Sequence, residues 1–163
     1  MKCVQKKLGT LSPKYPIENF CVPDQTLFID IETTGLYVRS SSLYLIGCAY
    51  LDGGADKPAC WQTIQWLATN YEDEANVLDA FVTFARPYRY LIHFNGNQFD
   101  IPYLQNKMQQ YNIHFNFDDF EGIDIYRRLS PYRTFLKLPN CKQKTIENFV
   151  TATTREDQYT GGE

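Results

Sequence analysis

The chain has 163 residues, 44% of them hydrophobic and 15% aromatic, which is enough to bury the core of one domain. Its net charge of −3 and pI near 5.4 argue against tight, non-specific coating of DNA, a task that favours basic domains. No apolar run approaches the roughly 20 residues of a membrane-spanning helix.

The first residues, MKCVQKKLGTLSPKYP, carry basic side chains with no apolar stretch behind them, so they do not read as a signal peptide. With Pro13, Pro16 and Pro23 and little periodicity, residues 1–24 are expected to form an extended arm ahead of a domain spanning 25–163. TLFIDIE, over 26–32, is the first predicted strand, broken by Thr33-Thr34-Gly35. LYLIGCAYL, 43–51, is a second strand; Asp52-Gly53-Gly54 is a turn signal, and ACWQTIQWL, 59–67, completes an antiparallel hairpin. Over 72–86 the period changes: Ala75, Leu78, Phe81, Val82 and Ala85 recur at helical spacing behind Glu72, Asp73 and Glu74, and Pro87 ends the helix. RYLIHFN, 89–95, is a strand, and residues 99–110 follow as a helix with Pro102 in its first turn. GIDIYRRL, 122–129, reads as a short strand or strand entry, and CKQKTIENFV, 141–150, as a helix. The predicted order β-β-β-α-β-α-β-α gives an α/β fold: a mixed central sheet of three antiparallel strands followed by parallel strands, with helices on both faces. Ribonuclease H-like folds have this order.

Asp30 and Glu32 stand two apart on the first strand, so alternation puts both carboxylates on one face. Two such charges on a mostly buried sheet are costly without a counter-charge, and a divalent cation with a preference for oxygen ligands is the simplest one. The competing reading is an exposed strand end with hydrated carboxylates. A second pattern, HFNGNQFDIP over 93–102, runs from a strand through Asn95-Gly96 into a helix whose first turn carries Asp100. Alone, Asp100 is an ordinary helix-start residue; together with Asp30 and Glu32 at this separation, the two patterns are far more specific than either one.

FIDIETTGL, 28–36, resembles the first exonuclease motif of the DEDD (DnaQ-like) superfamily, and NGNQFDIPYL, 95–104, resembles the second. The form is similar to the proofreading domains of B-family DNA polymerases, and most of all to the bacterial YprB-like ribonuclease H-like proteins, which SSLYLIGC, 41–48, and KQKTIE, 142–147, also resemble. This resemblance, over roughly 26–163, implies a two-metal 3′-to-5′ exonuclease using Mg2+ or Mn2+ on single-stranded 3′ ends of DNA or RNA. It implies Asp30, Glu32 and Asp100 as catalytic metal ligands, with Asp30 bridging the ions. Asn95 would shape the site, and the backbone at Thr33 and Gly35 would approach the terminal nucleotide. The family's third motif, a Tyr or His followed by a last Asp on a C-terminal helix, has no counterpart here. His114 and Asp118 match its spacing but come too early, in an aromatic stretch. The resemblance therefore leads to the expectation either of more domain after Glu163 or of a copy that has lost this last helix, with weak turnover in its absence.

Asp124 is a further candidate carboxylate, for which a structural or capping role is the expected reading. Arg127, Arg128, Arg133, Lys137, Lys142 and Lys144 follow with no acidic residue among them, beside Tyr126, Tyr132 and Phe135. They form either a phosphate-contacting strip with rings for base stacking or a solvated basic face. Cysteines at 3, 21, 48, 60 and 141 form no CxxC pair and fit reduced thiols in a cytoplasmic protein, while the isolated His93 and His114 argue against zinc. The alternative to an exonuclease is a non-catalytic nucleic-acid-binding or scaffold module on the same fold.

Overall fold

The structure, a computed structural model, describes residues 1–9, 17–54 and 57–152. Six strands form one sheet: β1 (Lys2–Gly9), β2 (Thr26–Thr33), β3 (Leu43–Gly54), β4 (Lys57–Leu67), β5 (Tyr90–His93) and β6 (Glu121–Asp124), in the order β1-β4-β3-β2-β5-β6. β1, β4, β3 and β2 pair antiparallel, whereas β2–β5 and β5–β6 are parallel. Among the described residues four α-helices accompany them: α1 (Glu74–Ala85), α2 (Asp100–Gln110), α3 (Ile125–Leu129) and α4 (Gln143–Thr151). The mixed sheet and the strand-then-crossover order are those expected from the sequence.

Period-two alternation on β2 sends Leu27, Ile29 and Ile31 into the main core, where they meet Val77, Leu78 and Phe81 of α1 and Tyr103, Leu104 and Met108 of α2. The opposite face carries a smaller cluster, Cys21, Ile92 and Ile123, with Phe28 and Ile125 packed against it. Asp30 and Glu32, which alternate with Ile29 and Ile31, project from this second face.

Three details go beyond the sequence pattern. Residues 2–9, expected within the arm, join the sheet as edge strand β1, in register with β4 from Lys2↔Leu67 to Lys7↔Gln62. Every side chain of β1 is exposed, so it has no inward-outward alternation to betray it, and its lysines are of the kind that blunt a sheet edge. Pro13, Pro16 and the chain end at 161–163 lie outside the described residues. The strand expected over 122–129 stops at Asp124, whose carboxylate accepts from the Arg127 amide and caps α3. Finally, the 113–118 stretch is a core anchor: Phe115 and Phe117 meet the Phe81 ring, while His114 is exposed.

Among the described residues no helix is long and apolar enough to cross a membrane.

Candidate active site

β2 lies where the sheet changes from antiparallel to parallel pairing, and its register with β5 ends at Phe28↔Ile92. Asp30 stands two residues further on, past the paired part of β5, and is exposed, while Glu32 is half-buried. The ends of parallel strands at such a reversal leave a crevice, the usual ligand position in open α/β sheets.

β5 leaves the sheet at His93 and turns through Asn95, which is left-handed at φ 59°. Gly96 follows, and a Cβ there would lie 2.8 Å from the His93 ring, so only glycine fits without displacing it. The Asn95 amide donates to Asp124 Oδ1 at 3.0 Å and the Gly96 amide to His93 Nδ1 at 3.1 Å. Ile101 N donates to Gly96 O at 2.9 Å, which starts α2 and presents Asp100 as its first residue.

Asp100 is only 8% exposed. Burial pushes its carboxyl up to about 6, the negative charge of Asp30 adds to this, and bonds from the Asp100 and Ile31 amides pull the other way. The Ile31 amide reaches Asp100 from β2, immediately beside Asp30. Two clefts meet at Asp30: one of about 420 Å³ lined by Phe28, Asp30, Glu32, Gly47 and Gln143, and one of about 540 Å³ lined by Asp30, Asn95, Asp100, Tyr126 and Lys142. Asp30 thus stands between Glu32 on one side and Asp100 on the other. Among the described residues no three Asp, Glu, His or Cys side chains are drawn together tightly enough to hold an ion unaided. Asn95 Oδ1 is buried without a hydrogen-bond partner among them.

The remaining expected site residues divide. Thr33 Oγ1 donates to Gly35 O at 2.9 Å, closing a tight turn directly after Glu32. Arg127 and Arg128 are exposed on α3. Arg133 turns back on its own loop, where Nε donates to Leu138 O and Nη2 to Pro139 O, so it braces residues 133–139. That loop displays Phe135 at 84% exposure, and Tyr132, just ahead of it, is 58% exposed. Lys142 is the member of the basic strip that reaches the crevice itself.

Asp124 is a cap, as expected, but a buried one: it is 5% exposed, and its second oxygen, Oδ2, has no hydrogen-bond partner. His93, weighed in the sequence only as an isolated residue that argues against zinc, stands beside it. Its Nδ1 lies 3.8 Å from Asp124 Oδ2, and burial lowers its pKa against the pull of Asp124, leaving a neutral imidazole that accepts from Gly96. The available signal was its place two residues ahead of Asn95, within the same strand-to-helix pattern.

A family profile described as RNase_H superfamily matches residues 27–163. No curated protein matches the sequence. Among solved structures, the fold is similar to Brucella melitensis NrnC bound to pGG, with a TM-score of 0.53 and 17% identity over 90% of this chain and 61% of that one. It is also similar to a nuclease in its apo form, with a TM-score of 0.51 and 17% identity over 82% of this chain and 55% of that one. The chain therefore spans about three-fifths or less of the length of these neighbours, and at such identity the likeness is one of fold.

Proposed function

From the premise that this chain belongs to the RNase_H superfamily, we propose that it is a YprB-like, DEDD-type domain for metal-dependent 3′-to-5′ hydrolysis of nucleic-acid phosphodiester bonds. The observation that carries this reading is the meeting of Asp30 and Asp100 at the reversal of the sheet, where the charge of one raises the pKa of the other. The donors are all oxygens: Asp30, Glu32, Asp100 and the unpartnered Asn95 Oδ1. That set suits Mg2+ or Mn2+ rather than a soft metal. Asp30 and Asp100 would hold the ion, with Glu32 completing the shell or orienting the attacking water. A bound divalent ion supplies charge neutralisation at the phosphate and an activated water.

The chain's own residues do the rest. Asp100, once ionised, is held by the Ile31 amide against β2. The turn at Thr33 and Gly35 offers backbone beside the carboxylates. Lys142 lines the same crevice and can pair a non-bridging phosphate oxygen. Arg127 and Arg128, with Tyr132 and Phe135, would carry the upstream part of a single strand of DNA or RNA, phosphates on the guanidinium groups and bases on the rings.

The test is degradation of a 3′-labelled oligonucleotide with Mg2+ or Mn2+, comparing the wild type with Asp30→Asn and Asp100→Asn. Loss by about 100-fold or more in each variant is expected; equal rates would reject the site. A second reading, a non-catalytic nucleic-acid-binding module, is favoured by the absence of a tight three-group cluster among the described residues. It gains support if the wild type binds the oligonucleotide and leaves it intact.

A further inference from the structure

We infer that Asp124, acting with His93, is the positioning device that sets where Asp100 meets Asp30. The inference rests on reading Asp30, Glu32 and Asp100 as ligands of a divalent cation.

Asp100 sits on the far side of a connection, residues 94–99, that includes a left-handed residue and a glycine. Such a connection has little intrinsic preference for one conformation. Here it is over-determined. Asp124 Oδ1 takes the Asn95 amide at 3.0 Å, and His93 Nδ1 takes the Gly96 amide at 3.1 Å. The two acceptors are themselves neighbours, since His93 pairs Asp124 in the β5–β6 register. From this fixed pair one further bond, Ile101 N to Gly96 O, reaches the first turn of α2.

A capping role alone does not account for Asp124. A cap of a five-residue helix needs one oxygen on one amide, and a hydroxyl supplies that. Asp124 Oδ1 instead accepts from two elements, the Asn95 turn and the Arg127 amide of α3 at 3.3 Å, from a site 5% exposed where its other oxygen is unpaired. Burying a half-satisfied carboxylate is expensive. What it secures is a rigid link between β6, α3 and the turn that delivers Asp100. Groups that orient metal ligands in this way typically change affinity by about 10–100-fold when removed.

The experiment uses the 163-residue chain and the variants Asp124→Asn and Asp124→Ser. The asparagine keeps an oxygen for both amides and removes the charge. The serine keeps the cap to Arg127 but is too short for Asn95, so α3 still forms. Two readouts are taken: Mn2+ affinity by electron paramagnetic resonance, and amide hydrogen exchange over 95–101. With Asp124→Ser, the Asn95 and Gly96 amides should exchange about tenfold faster while Arg127 stays protected, and Mn2+ affinity should fall about tenfold or more. Asp124→Asn should keep wild-type exchange, because the amide oxygen preserves the bonds, and should lose clearly less Mn2+ affinity than Asp124→Ser, its effect being confined to the loss of one negative charge near Asp100. Unchanged Mn2+ affinity in Asp124→Ser, or equal loss in both variants, overturns the positioning role, the latter because charge and not the link would then matter. If wild type itself binds no Mn2+, the metal reading fails separately. The link is then judged on exchange alone, and unaltered protection over 95–101 in Asp124→Ser rejects it.

Discussion

Asp30, exposed on β2 beyond its pairing with β5, and Asp100, buried at the start of α2, repel one another: after burial itself, the charge of Asp30 is the largest influence holding the Asp100 carboxyl up at about 6. The two residues come from separate chain segments.

This relationship sets a pH dependence. A carboxyl raised above its unfolded value of about 3.9 binds its proton more tightly in the folded state. Its stabilising contribution is therefore complete below about pH 4 and is lost as pH rises through about 6. Asp100→Asn should remove this part of the pH profile of stability. Carbon-detected NMR of the metal-free chain should find the Asp100 carboxyl titrating near 6, lower in Asp30→Asn and lower again with Mg2+, since a cation favours the ionised form. Titration near 4 in the metal-free wild type would contradict the arrangement.

The second expectation concerns the pair that holds α1 and α2 together. Glu74 is 3% exposed and Lys107 5%, with Nζ 3.0 Å from Oε1. Glu74 also takes the Leu43 amide at 2.6 Å and the Tyr111 hydroxyl at 2.7 Å, while Lys107 donates to Ser41 O at 2.6 Å, at the end of the loop that follows Glu32. Lys107→Met leaves a buried carboxylate without its cation and should cost about 3–5 kcal/mol in urea unfolding. Adding Glu74→Gln should recover part of that loss; strictly additive losses would mean that the ion pair is not the source.

The arginines of the basic strip should behave differently from one another. Neutralising Arg127 and Arg128, both exposed, should flatten the dependence of single-strand affinity on salt by roughly 0.7 in log–log slope for each phosphate no longer neutralised, with folding unchanged. Arg133→Gln should leave the slope nearly intact and loosen residues 133–139 instead, because its guanidinium serves the carbonyls of Leu138 and Pro139. A salt slope that falls as much in Arg133→Gln as in the other two would show that this internal brace opens to meet the ligand.

Phe135, 84% exposed on the braced loop, contributes little to the core. If bases stack on it, Phe135→Ala weakens single-strand binding by about 1–3 kcal/mol and leaves the melting temperature alone. Fluorescence anisotropy on a short labelled oligonucleotide measures the first and a thermal scan the second. A changed melting temperature with unchanged binding would assign the ring to packing.

Much of this molecule is legible locally. The β2 alternation places Asp30 and Glu32 on one face, the periodicity of residues 75–85 gives α1, and the run from RYLIHFN through Asn95-Gly96 places Asp100 at a helix start. These follow from backbone geometry alone, since side chains repeat every two residues in a strand and every 3.6 in a helix whatever surrounds them. The tertiary structure decided the rest. Glu74 read as a helix-start acid and Arg133 as one cation of a basic strip, yet one is buried against Lys107 and the other is folded onto its own loop. Asp124 read as a cap, yet it also grips the Asn95 turn, and β1, without alternation, became a strand only by pairing with β4. Whether a charge is buried, which amide it meets and how far its pKa moves depend on groups brought from remote segments, and no local period records which segments those are.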